Sequence, residues 1–267
     1  MGLPEPTVTS ISLVTGASSG IGAEIAKELA SRGHSLALVA RREERLRTLA
    51  TELTSEHGAT VEVIAADLGD PAERERLADE LRGKGRVVDV LVNNAGFGHQ
   101  ADFATSPRER MVEMVDLNVG AVVDLTSRFL TGMVDRGRGS VINIASIAAF
   151  QPLPGSAVYA ASKSFVLSFS EAIRTELRGS GVTVTAVCPG PVKTEFTEVA
   201  GIGGVEDRTP GAVWMSAEDI AKHAVDGAAR GNRVVVPGAL NRASALAGQH
   251  SPRALALPLI SRIWRNV

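Results

Sequence analysis

Apolar residues along the chain follow two alternating rhythms. Short runs dense in Val, Ile and Leu occur at residues 11–14, 35–40, 61–65, 88–93, 140–145, 182–188 and 233–236. Such near-continuous apolar runs are what strands buried on both faces require. Between them, at residues 20–32, 43–57, 72–83, 106–136, 157–178 and 217–230, apolar side chains return at helical spacing, the mark of helices with one buried stripe. The segment 106–136 is expected to be broken. Strands that alternate singly with helices build a parallel sheet covered on both faces, since a parallel neighbour is reached only by a crossover. Right-handed crossovers gather the ligand-bearing strand ends on one edge. The pattern therefore predicts an α/β fold, a doubly wound seven-stranded parallel sheet flanked by helices. It forms a single domain over residues 1–267, with its core at about 10–236. Two stretches stand outside the rhythm: residues 191–215, dense in Gly and Pro and read as a lid loop, and a C-terminal tail, 238–267.

Composition narrows the picture. A chain of 267 residues with 44% hydrophobic content can close one sizeable core. With 28 basic and 30 acidic side chains the net charge is -2, which offers phosphate backbones no general attraction, so nucleic acid is not expected as a partner. The single cysteine, Cys188, sits in an apolar run and reads as a small buried hydrophobe, so no disulfide is expected and a reducing compartment fits. Residues 1–9 lack a basic patch followed by an apolar stretch, and no later apolar run reaches the roughly 18 residues of a spanning helix. These features predict a soluble, cytoplasmic protein with no metal site.

The first chemical signal is Thr15-Gly16-Ala17-Ser18-Ser19-Gly20-Ile21-Gly22, placed between the first predicted strand and the first predicted helix. Glycines at such a turn let backbone approach a pyrophosphate, whose charge then meets unpaired N–H groups and the positive end of the helix dipole. A site that selects NAD places an acidic residue about 20 positions further on. Here that place holds Ala40, Arg41 and Arg42, just before a helix N-terminus where the dipole disfavours cations. A bound 2'-phosphate resolves the conflict, since guanidinium groups meet it with charge-assisted bonds. The prediction is NADP(H), with Arg41 the first candidate and Arg42 and Ser18 as helpers. Asp67-Leu68 and Asn93-Asn94-Ala95-Gly96 end the next two strands on the same edge, with a helix cap before Pro71 as the alternative reading of Asp67.

The spacing Thr-Gly-x-x-x-Gly-x-Gly resembles that of classical short-chain dehydrogenases/reductases, whose sheet is of the Rossmann type, and Asn93-Asn94-Ala95-Gly96 matches the same family. The resemblance implies that Gly16, Ser18, Ser19, Gly20, Ile21 and Gly22 cradle the cofactor, that Asp67 and Leu68 meet its adenine, and that Asn94, Ala95 and Gly96 pass beneath it. Tyr159-Ala160-Ala161-Ser162-Lys163 sets a phenol and an ammonium four residues apart on one helical face. A cation within a few ångström favours phenolate by roughly 1 to 3 units, so Lys163 is expected to lower the Tyr159 pKa. With Ser146 after the fifth strand and Asn118 in the expected helix break, these residues match the family's catalytic tetrad. In that match Ser146 bonds the substrate oxygen, Tyr159 gives or takes the proton, Lys163 holds the nicotinamide ribose and tunes Tyr159, and Asn118 anchors a water behind Lys163. Pro189-Gly190-Pro191-Val192-Lys193-Thr194 matches the family's Pro-Gly element, which implies that Pro189, Gly190, Val192 and Thr194 meet the carboxamide or a phosphate.

Phe97, Phe150, Gln151, Phe196, Trp214 and Met215 are the expected substrate-lining residues, with Ser146. Their apolar character favours a lipid-like or ketoacyl ketone, and the chain resembles the ketoacyl- and mycolate-reductase-like bacterial branch. A steroid or small xenobiotic ketone is the alternative. A non-catalytic NADP sensor would not need the four residues together, and epimerases of the extended branch space their glycines differently. Phe165, Val166, Phe169, Ile173 and Leu177 spread around the helix at 157–178, which with the family resemblance predicts a homodimer or homotetramer. The tail, with Leu255, Leu257, Leu259, Ile260, Ile263 and Trp264 beside Arg253, Arg262 and Arg265, is expected to fold back on the cleft or a partner subunit rather than on a membrane.

Overall fold

The computed structural model describes residues 2–192, 194–195, 211–254 and 257–258. Among them β1 (Ser10–Thr15), β2 (Leu36–Ala40), β3 (Val61–Ala65), β4 (Val87–Asn93), β5 (Gly139–Ile144), β6 (Val182–Val187) and β7 (Val234–Val235) form one sheet in the order β3-β2-β1-β4-β5-β6-β7. Every pairing is parallel. The chain winds outward from β1 to β3 and then returns to lay β4 beside β1. Crossovers leave that junction in opposite directions, opening a crevice at the carboxyl ends of β1 and β4.

The helices are α1 (Gly20–Ser31), α2 (Glu43–His57), α3 (Pro71–Gly83), α4 (Arg108–Val115), α5 (Ala121–Asp135), α6 (Ala157–Glu176), α7 (Ala217–Ala229) and α8 (Ala239–His250). One face of the sheet is covered by α1, α2 and α7, through Ile25, Leu29, Leu46, Leu53 and Val225. The other face packs on α3, α5 and α6, through Leu77, Leu81, Leu125, Met133 and Val166. Both faces are therefore dry, which is why β1, β2, β5 and β6 are buried along their whole length.

Three sequence expectations are refined or corrected. The break expected in segment 106–136 takes the form of a π-helical turn, Asp116–Gly120, which joins α4 to α5, with the Ala121 N–H reaching back to the Asp116 carbonyl. Such a wide turn re-phases the helix without ending it. The tail contains α8, which turns only Asn241 and Ala245 fully inward and leaves Leu240 and Leu246 exposed, so its apolar stripe is too thin to read. The Asn241 amide donates to the carbonyls of Val213 (3.1 Å) and Pro237 (3.1 Å), anchoring that helix. Finally, α6 spends most of its apolar residues inside the protomer: Val166 is buried and Phe169, Ile173 and Leu177 pack on the core, which leaves Phe165 as its exposed large hydrophobe. No helix among the described residues is long and apolar enough to cross a membrane. Leu255, Leu259, Ile260, Arg262, Ile263, Trp264 and Arg265 of the expected tail lie outside the described residues.

Candidate active site

A cleft of about 500 Å³ runs along the carboxyl edge of the sheet, from Arg41 and Arg42 at one end to Ser146, Tyr159 and Trp214 at the other. Its floor is fixed by hydrogen bonds between two strand exits. The Thr15 hydroxyl accepts from the N–H groups of Asn94 (2.9 Å) and Ala95 (3.0 Å), while the Asn94 amide donates to the carbonyls of Thr15 (2.9 Å) and Gly16 (3.2 Å). Gly16 sits at φ 66°, and a Cβ there would approach the Asn94 amide to 2.7 Å. One at Gly22 would run into the Gly16 carbonyl oxygen. Side chains at these two positions are thus excluded by backbone that must pass close to its neighbour. Ser19, the N-cap of α1, makes no side-chain cap and no acidic residue stands in the first turn, so the N-terminal amides of α1 are left for an anion. Gly16, Ser18, Ser19, Gly20 and Ile21 line the cleft, whereas Gly22 lies beneath it as a packing residue.

At the adenosine end Arg42 donates to the hydroxyls of Ser18 (3.0 Å) and Ser19 (2.8 Å). Arg41 is mostly exposed, 3.9 Å from the Asp67 carboxylate. Asp67 itself accepts from the Gly69 N–H (3.0 Å), and the cap of α3 is Asp70, not Asp67, accepting from Ala72 (2.9 Å). Arg74, buried on α3, donates to the Leu68 carbonyl (2.7 Å) and to Asp124 (2.6 Å), which ties the Asp67-Leu68 loop to α5.

At the other end the candidate catalytic groups converge. Ser146 follows β5, and its hydroxyl accepts from the Ala148 N–H (3.1 Å) while bonding to Tyr159. Tyr159 and Lys163 rise from the first turns of α6, with the Lys163 Nζ 5.9 Å from the Tyr159 ring centre. That ammonium is buried and donates to the Ile144 carbonyl (2.8 Å). Burial lowers the Lys163 pKa to about 8. Burial also raises the Tyr159 pKa, with the Ser146 bond acting the other way. The net direction is thus opposite to the one expected from Lys163: burial outweighs the Ser146 hydrogen bond. Cys188 is buried beside them, and burial pushes its thiol up to about 12, which makes it inert as anticipated.

Asn118 lies in the π turn behind this group. Its amide donates to the Phe97 carbonyl (2.9 Å) and the Ser162 hydroxyl (3.1 Å), and its oxygen accepts from the Phe97 N–H (3.1 Å). The side chain thus clamps the loop leaving β4. Asp67, Leu68, Asn94, Ala95, Gly96, Pro189, Gly190, Val192 and Thr194 all face the cleft, as do Phe97, Gln151 and Trp214. Phe150 does not: it lines a separate cavity between α6, α7 and α8, because the 3₁₀ turn after Ser146 points it away. Met215 is also absent from the cleft wall, its N–H being bonded to the Pro191 carbonyl (3.3 Å). Phe196 lies outside the described residues. Sequence reasoning missed His99, Gln100, Leu153, Ser156 and Glu195, which also line the cleft and belong to no recognisable pattern. The His99 Nε2 and Gln100 Oε1 atoms are buried with no hydrogen-bond partner. No group of metal-ligating side chains occurs among the described residues.

The sequence profile described as short chain dehydrogenase matches residues 10–201. Sulfoacetaldehyde reductase 2 of Chromohalobacter salexigens is 38% identical over 80% of this chain and 86% of its own length. A short-chain dehydrogenase from Sphingobium yanoikuyae, solved in complex with NADPH, superposes with a TM-score of 0.80 at 35% identity, covering 95% of this chain and 96% of that one. The bulky-bulky ketone specific alcohol dehydrogenase of Comamonas testosteroni superposes with a TM-score of 0.76 at 30% identity, covering 95% and 94%.

Proposed function

The chain belongs to the short-chain dehydrogenase family, and from that premise we propose that it reduces an apolar ketone with hydride from NADPH, using Tyr159 as the acid. It is an oxidoreductase of the CH–OH and C=O couple, and its cofactor is NADP(H), as bound in the Sphingobium yanoikuyae relative. The residues present fit that cofactor: the α1 amides are unspent, Gly16 leaves room for close approach, and Arg41 and Arg42 stand where a 2'-phosphate would lie. When bound, the reduced nicotinamide supplies hydride to the carbonyl carbon.

The observation that carries the reading is the convergence of Ser146, Tyr159 and Lys163 at one end of the cleft. Ser146, whose hydroxyl accepts the Ala148 N–H and is bonded to Tyr159, is placed to turn its proton toward a substrate oxygen gaining negative charge. Tyr159, its pKa raised by burial, keeps its proton at neutral pH and so is set to give it to that oxygen. Lys163, held on the Ile144 carbonyl beneath Tyr159, places a positive charge below the developing phenolate. Asn118 keeps Phe97 in position on the cleft wall.

Phe97, Ile147, Leu153, Val192 and Trp214 give the wall an apolar character that supports a lipid-like or ketoacyl ketone over a sugar. The relatives act on substrates as unlike as sulfoacetaldehyde and bulky-bulky ketones, so family membership alone does not choose among them. A cytoplasmic homodimer or homotetramer belongs to the same proposal, supported by Val112, Val115, Val123 and Phe165, exposed along α4, α5 and α6. The test is a panel of ketones, ketoacyl thioesters and sulfoacetaldehyde assayed with NADPH. The reading expects turnover highest on an apolar member, and it fails if none is turned over or if sulfoacetaldehyde is preferred.

A further inference from the structure

The arginines at the adenosine end are not idle. Arg42 Nη1 meets the Glu195 carboxylate at 2.8 Å and Arg45 Nη1 meets its other oxygen at 2.5 Å. Glu195 follows β6 on the far lip of the cleft, about 150 residues along the chain from its partners, so the bridge spans the mouth rather than one helix. Its surroundings explain why an anion is wanted. Arg42 is the N-cap of α2, where the dipole repels a cation, and Glu43 of the first turn is taken by Arg47. Arg41 is turned toward Asp67, 3.9 Å away. Glu195 is thus the carboxylate that balances Arg42 and Arg45, and these arginines hold its pKa near 2, so it stays charged at any working pH.

The same guanidinium and the Ser18 and Ser19 hydroxyls form the slot that a 2'-phosphate would fill. We propose that Glu195 is a built-in occupant of the 2'-phosphate slot, that NADP(H) must displace it from Arg42 and Arg45, and that Arg45 is a further phosphate ligand. The proposal rests on the NADP(H) reading above. All three partners are 40–49% exposed, which makes the bridge weak enough to yield to a dianion. NADH, lacking the phosphate, leaves the bridge closed and gains nothing from its removal.

Fluorescence titration of NADPH and NADH against wild type, Glu195→Gln and Arg45→Gln tests this, with thermal melting to confirm that each variant is folded. Glu195→Gln is expected to bind NADPH roughly 3- to 10-fold more tightly, as the loss of a competing surface ion pair allows. NADH affinity should not move, and the NADPH gain should shrink at high salt. Arg45→Gln should weaken NADPH by a similar factor. Weaker NADPH binding by Glu195→Gln, or equal shifts for both cofactors, would overturn the proposal. Because the readout is binding, a wild type that binds NADPH yet reduces no carbonyl would sink the functional reading and leave this test intact.

Discussion

The two ends of the cleft hold their charges in opposite ways. At the adenosine end the side chains of Arg41 and Arg42 are 75% and 45% exposed; Arg41 lies near Asp67, and Arg42 is bonded to Ser18, Ser19 and Glu195. At the reacting end Lys163 is 6% exposed, with its ammonium fixed on one carbonyl. Exposed charges act through long-range attraction that salt screens, while buried charges act through the cost of taking them out of water. The first end should therefore govern which cofactor binds, and the second whether protons move. Substitutions that separate binding from turnover test this division.

The largest effect belongs to Tyr159→Phe, which keeps the ring and deletes the proton. Turnover should fall by roughly 10²- to 10⁴-fold, while titration shows NADPH affinity unchanged. Near-normal turnover would place the acid elsewhere.

Next comes Lys163→Met, which removes a buried charge. The folded pKa of about 8 lies below the ordinary 10.5, so between those values the unfolded chain binds more protons and wild-type stability rises with pH. Below pH 8 the burial penalty is felt in full, at roughly 3 kcal/mol. The variant should therefore melt higher than wild type at pH 7 while losing activity, and the margin should close as pH climbs toward 10.5. Thermal melts across that range check the sign. A variant less stable at pH 7 would mean that the Ile144 bond outweighs the desolvation.

Smallest is Arg42→Ala. It should weaken NADPH about 10-fold, in line with a charge-assisted contact at an exposed site, and leave NADH nearly untouched. Titration at low and high salt should show the difference between wild type and variant contracting as salt rises.

The same division explains what could be read from the sequence. The strands, the glycine turn and the arginines were legible because each follows from local composition: buried strands are continuously apolar, and a turn that admits a pyrophosphate needs glycine at Gly16 and Gly22. Tyr159 and Lys163 were placed on one helical face by spacing alone. What stayed hidden depends on contacts between distant segments. Nothing near Asn118 announces a π turn, and its bonds to Phe97 and Ser162 join segments brought together only by folding. The direction of the Tyr159 shift needed the depth of burial, which spacing does not give. Glu195 carries no local signal because its partners lie about 150 residues away. Phe150 was misassigned because an aromatic side chain next to a site residue reads the same whether its turn points it inward or, as here, toward another cavity.

Hydride delivery from NADPH to a carbonyl beside Tyr159 is the central claim, and isotope transfer tests it most directly. Wild-type protein is given NADPH carrying deuterium at both hydrogens of the reacting nicotinamide carbon, together with the best ketone of the panel, and the product is read by mass spectrometry and NMR. The account predicts one deuterium on the new carbinol carbon in wild type, and almost no product from Tyr159→Phe at the same NADPH occupancy. A carbinol without deuterium, or labelled product formed equally fast by Tyr159→Phe, would contradict it.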